Sequence, residues 1–135
     1  MKHNILYSFR RCPYAIRARW ALLNTNQIVE LREVDLKNKP KELIEISKKA
    51  TVPVLHTNLN KIIDESIDIM IWCIKRSNMD ELFNTNDKTH EIFSIIETND
   101  KTFKFHLDRF KYANRFNNQG LETHRKAAMQ ILLSL

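Results

Sequence analysis

Tyr7-Ser8-Phe9-Arg10-Arg11-Cys12-Pro13-Tyr14-Ala15 reads as a short strand running into a helix, with a cysteine at the junction. Pro13 suits the first helical position, because its missing N–H is one the helix would have left unsatisfied. Cys12 then stands at the helix N-terminus, where free backbone N–H groups and the positive end of the dipole favour thiolate over thiol. Arg10, Arg11, Arg17 and Arg19 add positive charge on either side. A cysteine taken alone reads as a small, inert core residue. Its place before proline at a strand-to-helix turn points instead to a nucleophile.

Working outward, Asn4 to Phe9 reads as the first strand and Pro13 to about Asn26 as a helix, with Tyr14, Ala18, Ala21 and Leu22 along one face. Ile28 to Asp35 alternates as a second strand, and Pro40 opens a helix to Lys49 that carries Leu43 and Ile46 on one side. Val52 to Thr57 and Lys61 to Asp64 are short strands joined by a hairpin at Asn58-Leu59-Asn60. Ser66 begins a helix in which Ile67, Met70, Ile71 and Ile74 recur at core spacing, and which ends near Ser77. The order β-α-β-α-β-β-α is that of an α/β, thioredoxin-like domain over residues 1–77, with helices covering a sheet.

Residues 78–87 are polar enough for a linker, and residues 88–135 read as the first helices of an incomplete all-α domain. Ile92, Ile96, Phe103, Leu107 and Phe110 form one stripe, weakened at Thr98-Asn99-Asp100, where a bend or break is expected. Gly120 separates this segment from a helix over Leu121 to Leu135, in which Ala128, Ile131, Leu132 and Leu135 share a face.

The 135 residues suffice for one ordinary domain, or one domain and part of another. No apolar run approaches the ~18 residues of a membrane span, and Met1-Lys2-His3-Asn4 leads into nothing resembling a secretory signal. Two cysteines give neither a disulfide framework nor zinc spacing. A cytoplasmic protein without membrane partner or metal is expected. The net charge of +6 lies wholly in residues 1–78, where 14 Lys/Arg face 8 Asp/Glu. These charges are dispersed among apolar residues, with no basic tract and no aromatic-interleaved motif, so an acidic small molecule accounts for them at least as well as a nucleic acid, and no nucleic-acid partner is expected.

Three further features belong with Cys12. Thr51-Val52-Pro53-Val54-Leu55 starts a strand at a proline, which is either an ordinary trans residue at a sheet edge or a cis residue that turns the Val52 backbone outward to pair with an extended peptide. Asp64-Glu65-Ser66 opens a helix. Ser66 there either caps the helix or, with the free N–H groups, holds a carboxylate while Glu65 accepts from an ammonium. In Leu36-Lys37-Asn38-Lys39-Pro40 a lysine ahead of a helix is either solvated or paired with a second carboxylate.

Together these motifs resemble the N-terminal domain of cytosolic glutathione transferases, most closely the cysteine-type classes such as omega. The resemblance implies that Cys12 is the active-site thiol, that Val52–Pro53 is cis and pairs with the cysteinyl backbone of glutathione, and that Glu65 and Ser66 hold its γ-glutamyl group. The Leu-Lys-Asn-Lys-Pro string is also similar to omega, whose second lysine contacts glutathione; that position is Lys39. Cys12-Pro13-Tyr14 resembles glutaredoxins too, with Ala15 where their second cysteine stands. Phe105 to Phe116 looks like the segment closing the first long helix of the α-helical domain in a bacterial branch of the family, and His124-Arg125 with Ala127 and Ala128 is similar to its next helix. The later helices of that domain have no counterpart.

The activity implied is that of a glutathione-dependent thiol transferase, or glutathione S-transferase-like protein, with glutathione as cosubstrate and an electrophile or disulfide as the second substrate. A single thiolate would form and resolve mixed disulfides with glutathione, in a homodimer by family expectation. The rival reading is a non-catalytic module of the same fold that binds a protein partner. Cys73, two turns into a helix, reads as a core residue. Trp20 and Trp72 are expected to fill the core, and Tyr7 to pack rather than to act. None of the five histidines has metal spacing.

Overall fold

The first strand is β1 (Asn4–Ser8), buried on both faces from Ile5 to Ser8. The structure, a computed structural model, describes residues 3–77, 86–117 and 119–135, and the chain divides into two compact units, Met1–Leu82 and Phe83–Leu135. In the first unit β1 pairs in parallel with β2 (Val29–Glu33) and antiparallel with β3 (Val54–His56). β4 (Ile62–Ile63) lies beyond β3 and completes a mixed sheet of order β2-β1-β3-β4. A parallel pair needs a crossover rather than a tight turn. α1 (Pro13–Asn24) supplies it between β1 and β2, α2 (Lys41–Ile46) precedes β3, and α3 (Ser66–Arg76) follows β4. This is the thioredoxin-like order.

The period of two along each strand makes two cores. On one face Leu6, Leu55 and Ile63 meet Ala18, Ala21 and Leu22 of α1 and Ile69 and Cys73 of α3. The register sets Leu6 opposite Leu55 and Leu55 opposite Ile63, so this core is one row across three strands. On the other face Ile5, Tyr7 and Val54 pack with Val34 and with Leu43 of α2. α2 is shorter than expected: Pro40 is its N-cap and the backbone is already extended at Ser47.

Two expectations about packing are corrected. Trp20 is 68% exposed, because α1 is apolar on two sides and turns its alanines to the sheet. Ala15, Ala18 and Ala21 are buried while Ile16, Trp20 and Leu23 face outward; small side chains allow the close approach that a tryptophan would prevent. In α3 the deepest line is Ser66, Ile69 and Cys73, with Ile67, Met70, Ile71 and Ile74 half-buried on its flanks. Trp72 is half-buried against the first core, and its ring lies 5.0 Å from the Arg76 guanidinium.

The β3–β4 hairpin closes through Thr57 N–H to Lys61 O at 2.8 Å, with Asn60 in the left-handed region at φ 63°. Ala50 also has φ 45°. Asparagine tolerates that region, whereas alanine is disfavoured there by roughly 1–2 kcal/mol. The loop entering β3 therefore carries strain at Ala50.

In the second unit α4 (Asn86–Glu97) continues through a π-helical stretch, Thr98–Phe103, into α5 (Lys104–Lys111). Thr98-Asn99-Asp100, expected to bend or break the helix, lies in this widened turn, and the backbone at Glu97 and Lys104 stays right-handed helical. A 3-10 turn at Ala113–Phe116 and Gly120 at φ 64° lead to α6 (Leu121–Leu133). α6 ends two residues short of the expected Leu135; on it Ala128 is buried and Leu132 exposed, and Leu135, beyond its end, is exposed as well. The linker expected at 78–87 lies outside the described residues except at Asn86 and Asp87, which α4 contains. Among the described residues no helix is long and apolar enough to cross a membrane.

α5 and α6 are joined by a contact between two histidines, His106 Nδ1 to His124 Nδ1 at 2.8 Å. One ring must donate and the other accept, so the pair tolerates one proton between these nitrogens and not two. Burial at this contact holds the His124 pKa below its ordinary value, and His106 and Arg109 act in the same direction. The unfolded chain thus takes up protons on His124 first, and the stabilisation is present above about pH 6.5 and lost as pH falls below it. Thermal unfolding monitored across pH 5 to 8 is expected to show a Tm falling on the acid side, with a smaller fall in His124→Asn. An identical pH profile in the variant would contradict this.

Candidate functional site

The turn that presents Cys12 is built from backbone bonds. Cys12 N–H donates to Phe9 O at 3.1 Å and Ile16 N–H donates to Cys12 O at 2.9 Å, which makes Cys12 the N-cap of α1 with Pro13 as its first residue. Arg19, two turns along the helix, reaches back and donates to Ser8 Oγ at 2.5 Å, Phe9 O at 3.3 Å and Arg10 O at 2.9 Å. Arg10 N–H donates to Glu33 Oε1 at 2.7 Å. One guanidinium and one carboxylate therefore hold the loop ahead of the cysteine.

Cys12 is half-buried, and its thiol donates to the Val52 carbonyl at 3.5 Å. The Val52–Pro53 bond is cis, and β3 starts at the next residue, so the proline occupies a position that owes no N–H to the ladder. Lys39, Val52, Pro53, Glu65 and Ser66 line one groove of about 460 Å³, with Tyr14 and Leu36 among its other walls. The fold brings these five positions together from three separate stretches of chain and sets the Cys12 sulfur against one of them.

The charges in the groove are partly spoken for. Glu65 is the N-cap of α3 and makes no cap bond with its side chain; it forms an ion pair with Lys49. Lys49 is held above its ordinary pKa by that bond and by Asp64 and Asp68. Both partners are more than half exposed, at 56% and 57%, and such pairs exchange readily with other ions. Ser66 is buried as the first residue of α3, and its Oγ accepts from Arg17 Nη1 at 3.4 Å. The other cysteine, Cys73, is fully buried, and burial pushes its thiol pKa up, offset in part by a hydrogen bond from Thr25. The Tyr7 ring is buried and its hydroxyl accepts from Arg32 Nη1 at 3.2 Å.

A family model described as the glutathione S-transferase N-terminal domain matches residues 6–79, more than half of the chain. The chain belongs to the glutathione S-transferase family. Solved structures of the family share its fold. A delta-class glutathione transferase from Nilaparvata lugens superposes with a TM-score of 0.82 at 20% identity, over 98% of this chain and 64% of that one. Glutathione transferase Omega 3C from Trametes versicolor gives 0.84 at 18% identity, over 100% and 61%. Rice GST1 in complex with glutathione gives 0.51 at 28% identity, over 55% and 33%. The chain thus spans less than two thirds of the length of these glutathione transferases. No curated protein matches the sequence significantly.

The matched stretch of this glutathione S-transferase-family chain contains Cys12, the whole groove, and two residues that the motifs do not announce. Lys49 lies 16 positions from Glu65, and Arg17 lies 49 from Ser66; neither pairing has a local signal. Only the folding of α1 and the β3 approach against the start of α3 creates them. Among the described residues no group of three or more metal-ligating side chains occurs.

Proposed function

We propose that this chain is a glutathione-dependent thiol transferase acting through Cys12. The observation that carries the reading is the Cys12 sulfur bonded to the Val52 carbonyl at the side of a groove that also presents Lys39, Glu65 and Ser66. Glutathione has the complementary charges. Its γ-glutamyl ammonium would replace Lys49 at Glu65, and its first carboxylate would meet Ser66 and the free N–H groups at the start of α3. Lys39 would take the glycyl carboxylate, and the cysteinyl backbone would pair with Val52, which lays the glutathione sulfur alongside Cys12.

The Cys12 thiolate attacks the glutathionyl sulfur of a mixed disulfide, R–S–S–G. The bond between Cys12 and the glutathionyl sulfur forms as the S–S bond of R–S–S–G breaks, and the leaving thiolate, R–S⁻, takes a proton from solvent. A second glutathione, as thiolate, then attacks the glutathionyl sulfur, yielding glutathione disulfide and free Cys12. With Ala15 in place of a second cysteine and Cys73 buried, glutathione itself must resolve the intermediate. A homodimer is the assembly that family membership suggests.

Reduction of hydroxyethyl disulfide by glutathione tests the reading. Wild-type protein is expected to turn over, and Glu65→Ala to raise the KM for glutathione roughly tenfold or more, since a charge-assisted hydrogen bond is lost, with a smaller effect on kcat. An unchanged KM would contradict the assignment of Glu65. A second reading, a module that binds a protein partner without catalysis, is favoured by the exposure of Leu132, Leu133 and Leu135; glutathione binding with no turnover would select it.

A further inference from the structure

The residues flanking Cys12 line two different grooves. Tyr14, on its C-terminal side, belongs to the glutathione groove already described. Phe9, Arg10 and Arg11, on its N-terminal side, belong to a second, open groove of about 700 Å³ completed by Arg19, Leu31 and Glu33. A disulfide exchanged at Cys12 has two halves that must both lie near one sulfur. If the glutathionyl half fills the first groove, the second groove is where the chain offers surface for the other half.

Its chemistry is specific. Phe9 and Leu31 give it an apolar floor, and three arginines face a single carboxylate. That carboxylate, Glu33, accepts from a backbone N–H, and Arg19 donates to a hydroxyl and two carbonyls, so neither its charge nor those of Arg10 and Arg11 are neutralised by these bonds. Among the described residues the Arg10 and Arg11 guanidinium groups have no hydrogen-bond acceptor and no ion-pair partner; Arg11 lies 5.8 Å from the Phe9 ring centroid. Free guanidinium groups held beside an apolar floor suit carboxylates, which they bind bidentately. The positive excess confined to residues 1–78 has the same sign.

We propose that this arginine groove seats the non-glutathionyl half of the mixed disulfide and selects acidic peptides. The proposal rests on the glutathione reading above and names the substrate class for that site. The exchange is the one already written, with R a peptide cysteine flanked by Asp or Glu.

The test uses two glutathionylated peptides of one sequence, with two glutamates or two glutamines beside the modified cysteine. The full-length protein is expected to deglutathionylate the acidic peptide with a kcat/KM about tenfold higher, and the ratio is expected to shrink toward one as salt rises. In Arg11→Gln the ratio is expected to fall, and Arg11→Lys to retain more of it than Gln. A ratio of one in wild type, with both peptides turned over, overturns the arginine groove and leaves the thiol transferase standing. Absence of turnover for both peptides and for hydroxyethyl disulfide removes both. A ratio above one that Arg10→Gln and Arg11→Gln together leave unchanged would place the selectivity elsewhere and also overturn the proposal.

Discussion

Cys12→Ser is expected to bring reduction of hydroxyethyl disulfide down to the uncatalysed rate, a fall of at least about 100-fold, while leaving glutathione binding nearly intact. The two effects separate because the cysteine has two roles that serine divides. As N-cap of α1 with no side-chain cap bond, position 12 accepts serine readily, since serine is itself a favoured cap. The groove residues Lys39, Glu65 and Ser66 stand on other elements and keep their places. A serine oxygen, however, forms no disulfide, so the intermediate on which turnover depends has no counterpart. Cys73 offers no substitute: it is fully buried in the core between the sheet and α3, where burial disfavours its thiolate. Turnover assay paired with calorimetric titration of glutathione separates the outcomes. A variant retaining wild-type turnover would refute the mechanism.

Leu55→Ala is expected to destabilise the first unit by about 2–5 kcal/mol, measured as a fall in the urea midpoint of unfolding. Leu55 is fully buried at the centre of the row formed with Leu6 and Ile63, under α1 and α3. Removing its side chain leaves a cavity that the helices cannot fill without giving up their contacts with one another. Against a typical total of about 5–15 kcal/mol, such a loss is a large fraction of the stability and brings unfolding to lower temperature and lower urea. Leu31→Ala, at an edge-strand position 55% exposed, is the control and should stay within about 0.5 kcal/mol. Because Leu55 follows Val52-Pro53 by two residues, loss of glutathione binding in Leu55→Ala should track unfolding and be restored on cooling. Equal stability of Leu55→Ala and Leu31→Ala would contradict the core described.

Much of the first unit was legible because its signals are local. The strand-to-helix turn at Cys12-Pro13, the alternation through Ile28 to Asp35 and the asparagines of the hairpin each act over a few residues and together set the element order, and the resemblance supplied the cis Val52–Pro53 bond. What escaped depended on partners far along the chain. Trp20 and the alanines of α1 offer two apolar faces, and only the nearness of sheet and α3 decides between them. The same offset separates the Ile67-Met70-Ile71-Ile74 stripe from the buried Ile69 and Cys73. At Thr98-Asn99-Asp100 weak helix formers announced an irregularity but not its kind, since a widened turn and a break have the same composition. In the groove, single residues offered two readings apiece until the fold set Lys39, Val52, Glu65 and Ser66 side by side. The Lys49–Glu65 pair and the arginine groove were not visible as such, because both join segments that sequence distance keeps apart.

The most direct measurement is the intact mass of the protein after exposure to glutathione disulfide, with peptide mapping of the product. One glutathione is predicted on Cys12 and none on Cys73, discharged on adding reduced glutathione and absent in Cys12→Ser. No adduct, or an adduct confined to Cys73, would contradict the account.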